Sequence, residues 1–427
     1  MRSGLTRSRD RIGTIGEARV ARYAVSAIFF LTGAGSANWA VRIPAVQDRL
    51  GLTDGGLGMA LLGLSAGAIV AMAAAGPLVA KRGSRPVTWA AALAFAVALT
   101  LPALAPNPTL LMLSLVALGL ANGLLDVAMN AQAAAVQKHY ERPIMARVHA
   151  LYSFGGLVGA AIGGRVAARG VGAGPHLLGV GLTIAIVACV VAIGMLPASA
   201  DAAPDHPPIG RPVRALRVLG VVAFCVLFGE GAMANWSAVY LRDVSLAGPG
   251  LAAAGFASFS LMMTVGRGVG DTLSSRLGNV RLTQIGGALA ALGVACALAF
   301  PQPLPVIIGF GAIGAGLSSI FPIVLGASAR APGVVPGAAI AVVSMCGYAG
   351  LLAGPPLIGA VANSFTLRGG LALVAVASVA VVVLARAVMP SATTTSRGLG
   401  PSAGDRPQRG HEPLPHGGLL PALPDGG

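Results

Sequence analysis

The sequence predicts an all-α membrane protein of twelve transmembrane helices, arranged as two six-helix bundles related by pseudo-twofold symmetry. Three observations carry that expectation. Hydrophobic residues make up 55% of the 427-residue chain and charged residues only 10%, whereas a water-soluble domain keeps about 25% of its residues charged. Apolar runs recur twelve times, each near the ~20 residues that cross a bilayer as a helix. The chain also repeats itself. Ala37-Asn38-Trp39-Ala40 returns as Ala234-Asn235-Trp236-Ser237, an offset of 197. Leu78-Val79-Ala80-Lys81-Arg82-Gly83 returns as Leu273-Ser274-Ser275-Arg276-Leu277-Gly278, and Gly155-x-x-x-Gly159 with Gly164 returns as Gly350-x-x-x-Gly354 with Gly359, both at 195. Such a duplication of about six spans is the layout of many secondary transporters, with the substrate site between the halves.

Span 1, at 22–41, follows a basic flank as a signal peptide does. It is too long for a signal core and eleven more runs follow, so it reads as a retained helix. Spans 2 to 6 are expected at 55–79, 86–105, 109–132, 148–168 and 175–196. Spans 7 to 12 are expected at 217–240, 250–271, 281–300, 304–328, 336–361 and 369–389. Residues 1–21 then form a cytoplasmic tail, 22–196 and 217–389 the two bundles, and 197–216 a cytoplasmic linker marked by Pro204, Pro207, Pro208 and Pro212. The segment 390–427, rich in Pro, Gly, Ser and Thr, reads as a disordered tail. Lys and Arg set the orientation. Arg42, Arg49, Arg165, Arg169, Arg242 and Arg368 fall on one side, and nearly all the others on the opposite, positive-inside face. Both termini are therefore expected on the cytoplasmic side of the cytoplasmic (inner) membrane, which requires an even number of spans.

Composition also excludes functions. The net charge of +15 is scattered over loop-like stretches, so no nucleic-acid surface is read. Cys189, Cys225, Cys296 and Cys346 sit in apolar runs without CxxC spacing, which indicates neither disulfides nor a metal. Gly266-x-Gly-x-Gly270 and Gly311-x-x-Gly-x-Gly316 lack a strand–turn–helix context and read as helix-packing glycines. No Walker motif or catalytic constellation stands out. No cofactor is expected, no metal, and no enzyme. The expected partners are a small-molecule solute, protons and membrane lipid, with the chain a monomer.

Polar groups inside the apolar runs mark the candidate site. Asp126 in span 4 and Glu230 in span 7 are the two acids well inside. An acid at mid-membrane costs about 2.5–3.5 kcal/mol on insertion scales and commonly belongs to a proton relay. Asn122, Asp126 and Asn130 are four apart and share a helix face. Asn38-Trp39 and Asn235-Trp236 occupy repeat-related positions in the outer parts of spans 1 and 7, as a cavity lining or outer gate, or as interfacial belt residues. His149 and Tyr152 open span 5, and Tyr348 in span 11 completes the candidate substrate set.

The loop after span 2, Gly76-Pro-Leu-Val-Ala80-Lys81-Arg82-Gly83-Ser84-Arg85, is similar to the signature Gly-x-Leu-Ala-Asp-Arg-x-Gly-Arg-Arg of the major facilitator superfamily, with Ala80 in place of its Asp. The resemblance implies a conformational lock at this face, from Lys81, Arg82 and Arg85 in the first half and from Asp271 with Arg267 or Arg281, beside Arg276, in the second. Residues Gly119 to Gly164 resemble the fucose–proton symporter branch. Its span 4 acid followed four residues later by Asn matches Asp126 and Asn130, and its polar-Phe-Gly opening of span 5 matches Ser153-Phe154-Gly155. The branch's other membrane acid lies in span 1, where this chain offers Asn38. Span 5 is also similar to the drug-antiporter signature at Gly155, Gly159, Gly163 and Gly164, with Ala160 replacing its Pro.

The expected function is secondary active transport of a small polar solute, a sugar-like one among the candidates, by alternating access, with proton coupling through Asp126 and Glu230. Drug or metabolite efflux by the same fold, and a transport-inactive membrane sensor, are the alternatives.

Overall fold

The computed structural model describes residues 2–140, 144–200, 214–331 and 336–389. The tail 390–427 and most of the linker (201–213) lie outside the described residues. Among the described residues, twelve helical spans are long and apolar enough to cross a membrane. The first half contains α1 (Gly16–Leu50), α2 (Asp54–Arg82), α3 (Ser84–Leu104), α4 (Pro108–His139), α5 (Arg147–Ala168) and α6 (Ala173–Ala192). The second contains α7 (Leu216–Asp243), α8 (Pro249–Leu277), α9 (Asn279–Ala299), α10 (Pro303–Ala329), α11 (Val342–Ser364) and α12 (Leu367–Val388). We call the end of the bundle that carries loop 51–53 the first-loop end, and the end that carries Gly83 and Gly278 the second-loop end.

The repeat is visible residue by residue. Gly83 and Gly278 both adopt positive φ, at 77° and 76°, where a side chain is strained. Each closes its helix the same way, donating to the Val79 and Ser274 carbonyls. Asn38 and Asn235 each donate back to the carbonyl one turn earlier, of Ala34 and Gly231, at 2.8 and 2.9 Å. Packing repeats too. A Cβ on Gly119 would meet the Leu64 carbonyl at 2.0 Å, and one on Gly314 the Phe259 carbonyl at 2.3 Å. So α4 lies on α2 as α10 lies on α8. Lipid offers no hydrophobic drive for such contacts; close backbone approach through small residues supplies them.

Two boundaries differ from expectation. A continuous helix begins at Arg2, where a tail is expected, and runs to Leu50. Arg42 and Arg49 therefore stand on this helix rather than in a loop. The sequence reading stops at the first charge, but these charges meet acceptors. Arg49 donates to the Pro102 and Ala105 carbonyls at 3.3 and 2.9 Å, where α3 ends. Arg42 is treated below.

The two bundles are tied from the first-loop end to mid-depth. A Cβ on Gly359 of α11 would lie 2.6 Å from Gly58 Cα of α2, and the Ser65 hydroxyl donates to the Leu352 carbonyl at 2.6 Å. Gly164 and Gly250 bring α5 against α8. Arg242 of α7 donates to the Pro44 carbonyl, Gln47 and Asp48 of α1 at 2.6, 2.8 and 2.9 Å. Nearer mid-depth, the Asp126–Tyr348 and Ser153–Arg267 hydrogen bonds also cross between the bundles.

Candidate functional site

Asp126 and Glu230 lie near the middle of α4 and α7, and each is held by groups from other helices. Asp126 Oδ2 accepts from the Tyr348 hydroxyl of α11 at 2.8 Å. Its Oδ1 accepts from Asn130 Nδ2 at 3.3 Å, and the same amide donates to the Asp126 backbone carbonyl at 2.8 Å. The four-residue spacing thus works as a clamp on the acid. Glu230 faces Arg267 of α8, whose Nη2 reaches Oε1 at 3.3 Å and Oε2 at 3.5 Å. Arg267 Nη1 donates to Ser153 Oγ of α5 at 2.7 Å, and that hydroxyl donates to the His149 carbonyl at 3.3 Å.

These two groups form one polar core. Tyr152 pairs with Ser36 and lies within electrostatic reach of Asp126, Glu230 and Arg267, while Tyr348 is within reach of Tyr152 and Glu230. The His149 ring packs edge-on against Phe29, with centroids 5.2 Å apart. Protein encloses both acids, yet the Glu230 and Arg267 side chains keep 19% and 15% of their surface accessible. Asn122, Asp126, Asn130, His149, Tyr152 and Tyr348 are likewise only partly buried. The charge there is asymmetric. Glu230 is matched by Arg267, whereas Asp126 has no cation within ion-pair distance among the described residues.

Other expected residues lie elsewhere. Asn38, Trp39, Asn235 and Trp236 are all buried. Trp236 Nε1 donates to the Pro355 carbonyl at 3.2 Å, tying α7 to α11. Asn38 Oδ1, Trp39 Nε1 and Asn122 Oδ1 have no hydrogen-bond partner among the described residues. Lys81, Arg82, Asp271 and Arg276 are exposed and Arg85 partly so; none makes an ion pair among the described residues. Arg267, expected beside Asp271 at the lock, instead pairs with Glu230.

Sequence reasoning missed three things: the central place of Arg267, the Ser153 hydroxyl that receives it, and the Arg242–Asp48 tie. Arg267 carried a usable signal, because it falls inside the expected span 250–271 and an embedded charge is a functional candidate by default. Ser153 carried the polar-Phe-Gly match, which named the residue but not its partner, and Asp48 carried none.

A family model described as Major Facilitator Superfamily matches residues 25–335. An uncharacterized MFS-type transporter of Yersinia pestis is 34% identical over 361 residues, which is 84% of this chain and 94% of that one. A crystal structure of the nucleoside transporter NupG aligns with a TM-score of 0.63 at 15% identity, covering 86% of this chain and 98% of its own. The transporter FucP in an outward conformation aligns with a TM-score of 0.60 at 16% identity, covering 87% and 99%.

Proposed function

The chain belongs to the major facilitator superfamily, and on that premise we propose that it moves a small polar solute across the cytoplasmic membrane by proton-coupled alternating access. One observation carries the coupling. Asp126 is an embedded carboxyl whose partners, Tyr348 and Asn130, are both neutral. With no cation among the described residues to fix its charge, a proton is the natural counter-ion. A proton on Oδ2 would also compete with the Tyr348 hydroxyl that links the two bundles. Protonation and bundle separation thereby become one event, and a solute that favours one protonation state links the two fluxes.

Glu230 and Arg267 serve as a charge-balanced pair beside it, able to exchange partners with a solute. Asn122, Asn130, His149 and Tyr152 offer donors and acceptors suited to a hydroxyl-bearing molecule. In this reading residues 22–196 and 217–389 are the moving bundles of a monomer, with both termini in the cytoplasm. The ties described above hold the outer end shut. Lys81, Arg82, Arg85, Asp271 and Arg276 wait at the inner end to pair when it closes.

The test begins with a solute panel screened by thermal shift on purified protein, followed by flux assays in liposomes. Asp126→Asn should keep solute exchange between compartments and lose accumulation driven by a pH gradient. Accumulation with unchanged pH dependence would refute the proposal.

A further inference from the structure

A second polar site lies near the first-loop end, away from the central core. Arg42 of α1 is 4% exposed, so its charge is covered. Its Nε–H donates to His176 Nδ1 of α6 at 2.8 Å, and an Nη2–H donates to the Val171 carbonyl at 2.8 Å. Both acceptors are neutral, because an imidazole nitrogen that accepts carries no proton. No carboxylate stands within ion-pair distance of Arg42 among the described residues. A guanidinium has five N–H donors, so among the described residues these bonds leave Nη1 and one Nη2 hydrogen unused. Those are the adjacent donors that grip a carboxylate side by side.

Arg42 lines a cavity of about 240 Å³ whose walls include Val41, Ala45, Ala167, Pro249 and Ala252. Asp48 and Arg242 also line it, but they pair with each other at 2.9 Å. We propose that this cavity binds a small free carboxylate, its head on the open edge of Arg42 and its short aliphatic tail on the apolar wall. A covered positive charge without a counter-ion is costly, and a monoanion removes that cost. The apolar wall favours a carboxylate with a carbon tail over a compact, strongly hydrated phosphate. His176 is the positioning residue, since accepting the Nε–H fixes the guanidinium plane. Val41 and Ala167 belong to the first bundle, Pro249 and Ala252 to the second. A bound ligand therefore braces the two together at this end.

The probe is sodium propionate, titrated against thermal unfolding of the purified full chain in detergent, with sodium chloride and sodium phosphate at matched ionic strength. A ligand that binds only the folded state raises Tm saturably. Propionate should do so beyond both control salts. Arg42→Gln should weaken the apparent affinity by roughly tenfold to a hundredfold, as loss of a charged hydrogen-bonded fork implies. Ala45→Leu, which fills the cavity and spares Arg42, should weaken it comparably and keeps the test valid if the first variant does not fold. Asp126→Asn should leave the response intact, which separates this site from the transport proposal. No saturable rise beyond chloride, an equal rise in either cavity variant, or a phosphate response matching that of propionate would overturn the assignment.

Discussion

Replacing Arg267 with Gln removes the cation beside Glu230 and the donor to Ser153, so it probes the central pair directly. At 3.3 Å and an effective dielectric of about 20, the Coulomb attraction is about 5 kcal/mol. Taking both ions out of water returns several kcal/mol of that. The side chains keep 15% and 19% of their surface accessible, so neither limit is reached. A net coupling of about 2 kcal/mol follows, a factor of about 30 in an equilibrium constant. The assay is a double-mutant cycle on thermal unfolding in detergent, using Arg267→Gln, Glu230→Gln and the pair. Arg267→Gln alone should be the most destabilised, since it strands a carboxylate among protein groups. The double variant should recover most of the loss, because two neutral amides can bond to each other. If the single losses simply add, the pair is uncoupled and its assignment to the polar core is wrong.

Three further outcomes follow from the packing. Gly359→Val places branched carbon against the Gly58 backbone, where even a Cβ has only 2.6 Å. Overpacking of about 1–3 kcal/mol should part α2 from α11, and a cysteine at Ser65, in a background without the native thiols, should then react with aqueous maleimide about tenfold faster or more. Arg242→Gln should loosen the same end less, because Asp48 keeps 65% of its side chain accessible and such pairs are worth about 0–1 kcal/mol; its effect on the same labelling rate should fade at high salt. Trp236→Phe deletes one donor to Pro355 from a fully buried site. It should cost about 1 kcal/mol of stability or somewhat more, read as a lower Tm, while leaving the solute-induced shift intact, as a packing residue would.

Features that depend on local chemistry are legible in the residues alone. Twelve spans follow from apolar run length, because a bilayer demands about 20 residues whatever their neighbours. The paired turns at Gly83 and Gly278 follow from a backbone angle that only glycine takes without strain. Asp126 and Asn130 share a face because the helix repeat puts them there. Tertiary structure alone decided which groups meet across helices. Nothing in the spacing of Glu230 and Arg267, or of Asp126 and Tyr348, fixes how two helices are rotated against each other. That rotation comes from close contacts such as Gly350 on the Phe224 carbonyl and Gly155 on that of Phe30. The same contacts buried Asn38, Trp39, Asn235 and Trp236 in helix packing and gave Arg42 the His176 nitrogen that lets its charge stay inside a helix. Local rules set what each helix is, while side-chain reach, at most a few ångströms, leaves each pairing to the packing of the whole bundle.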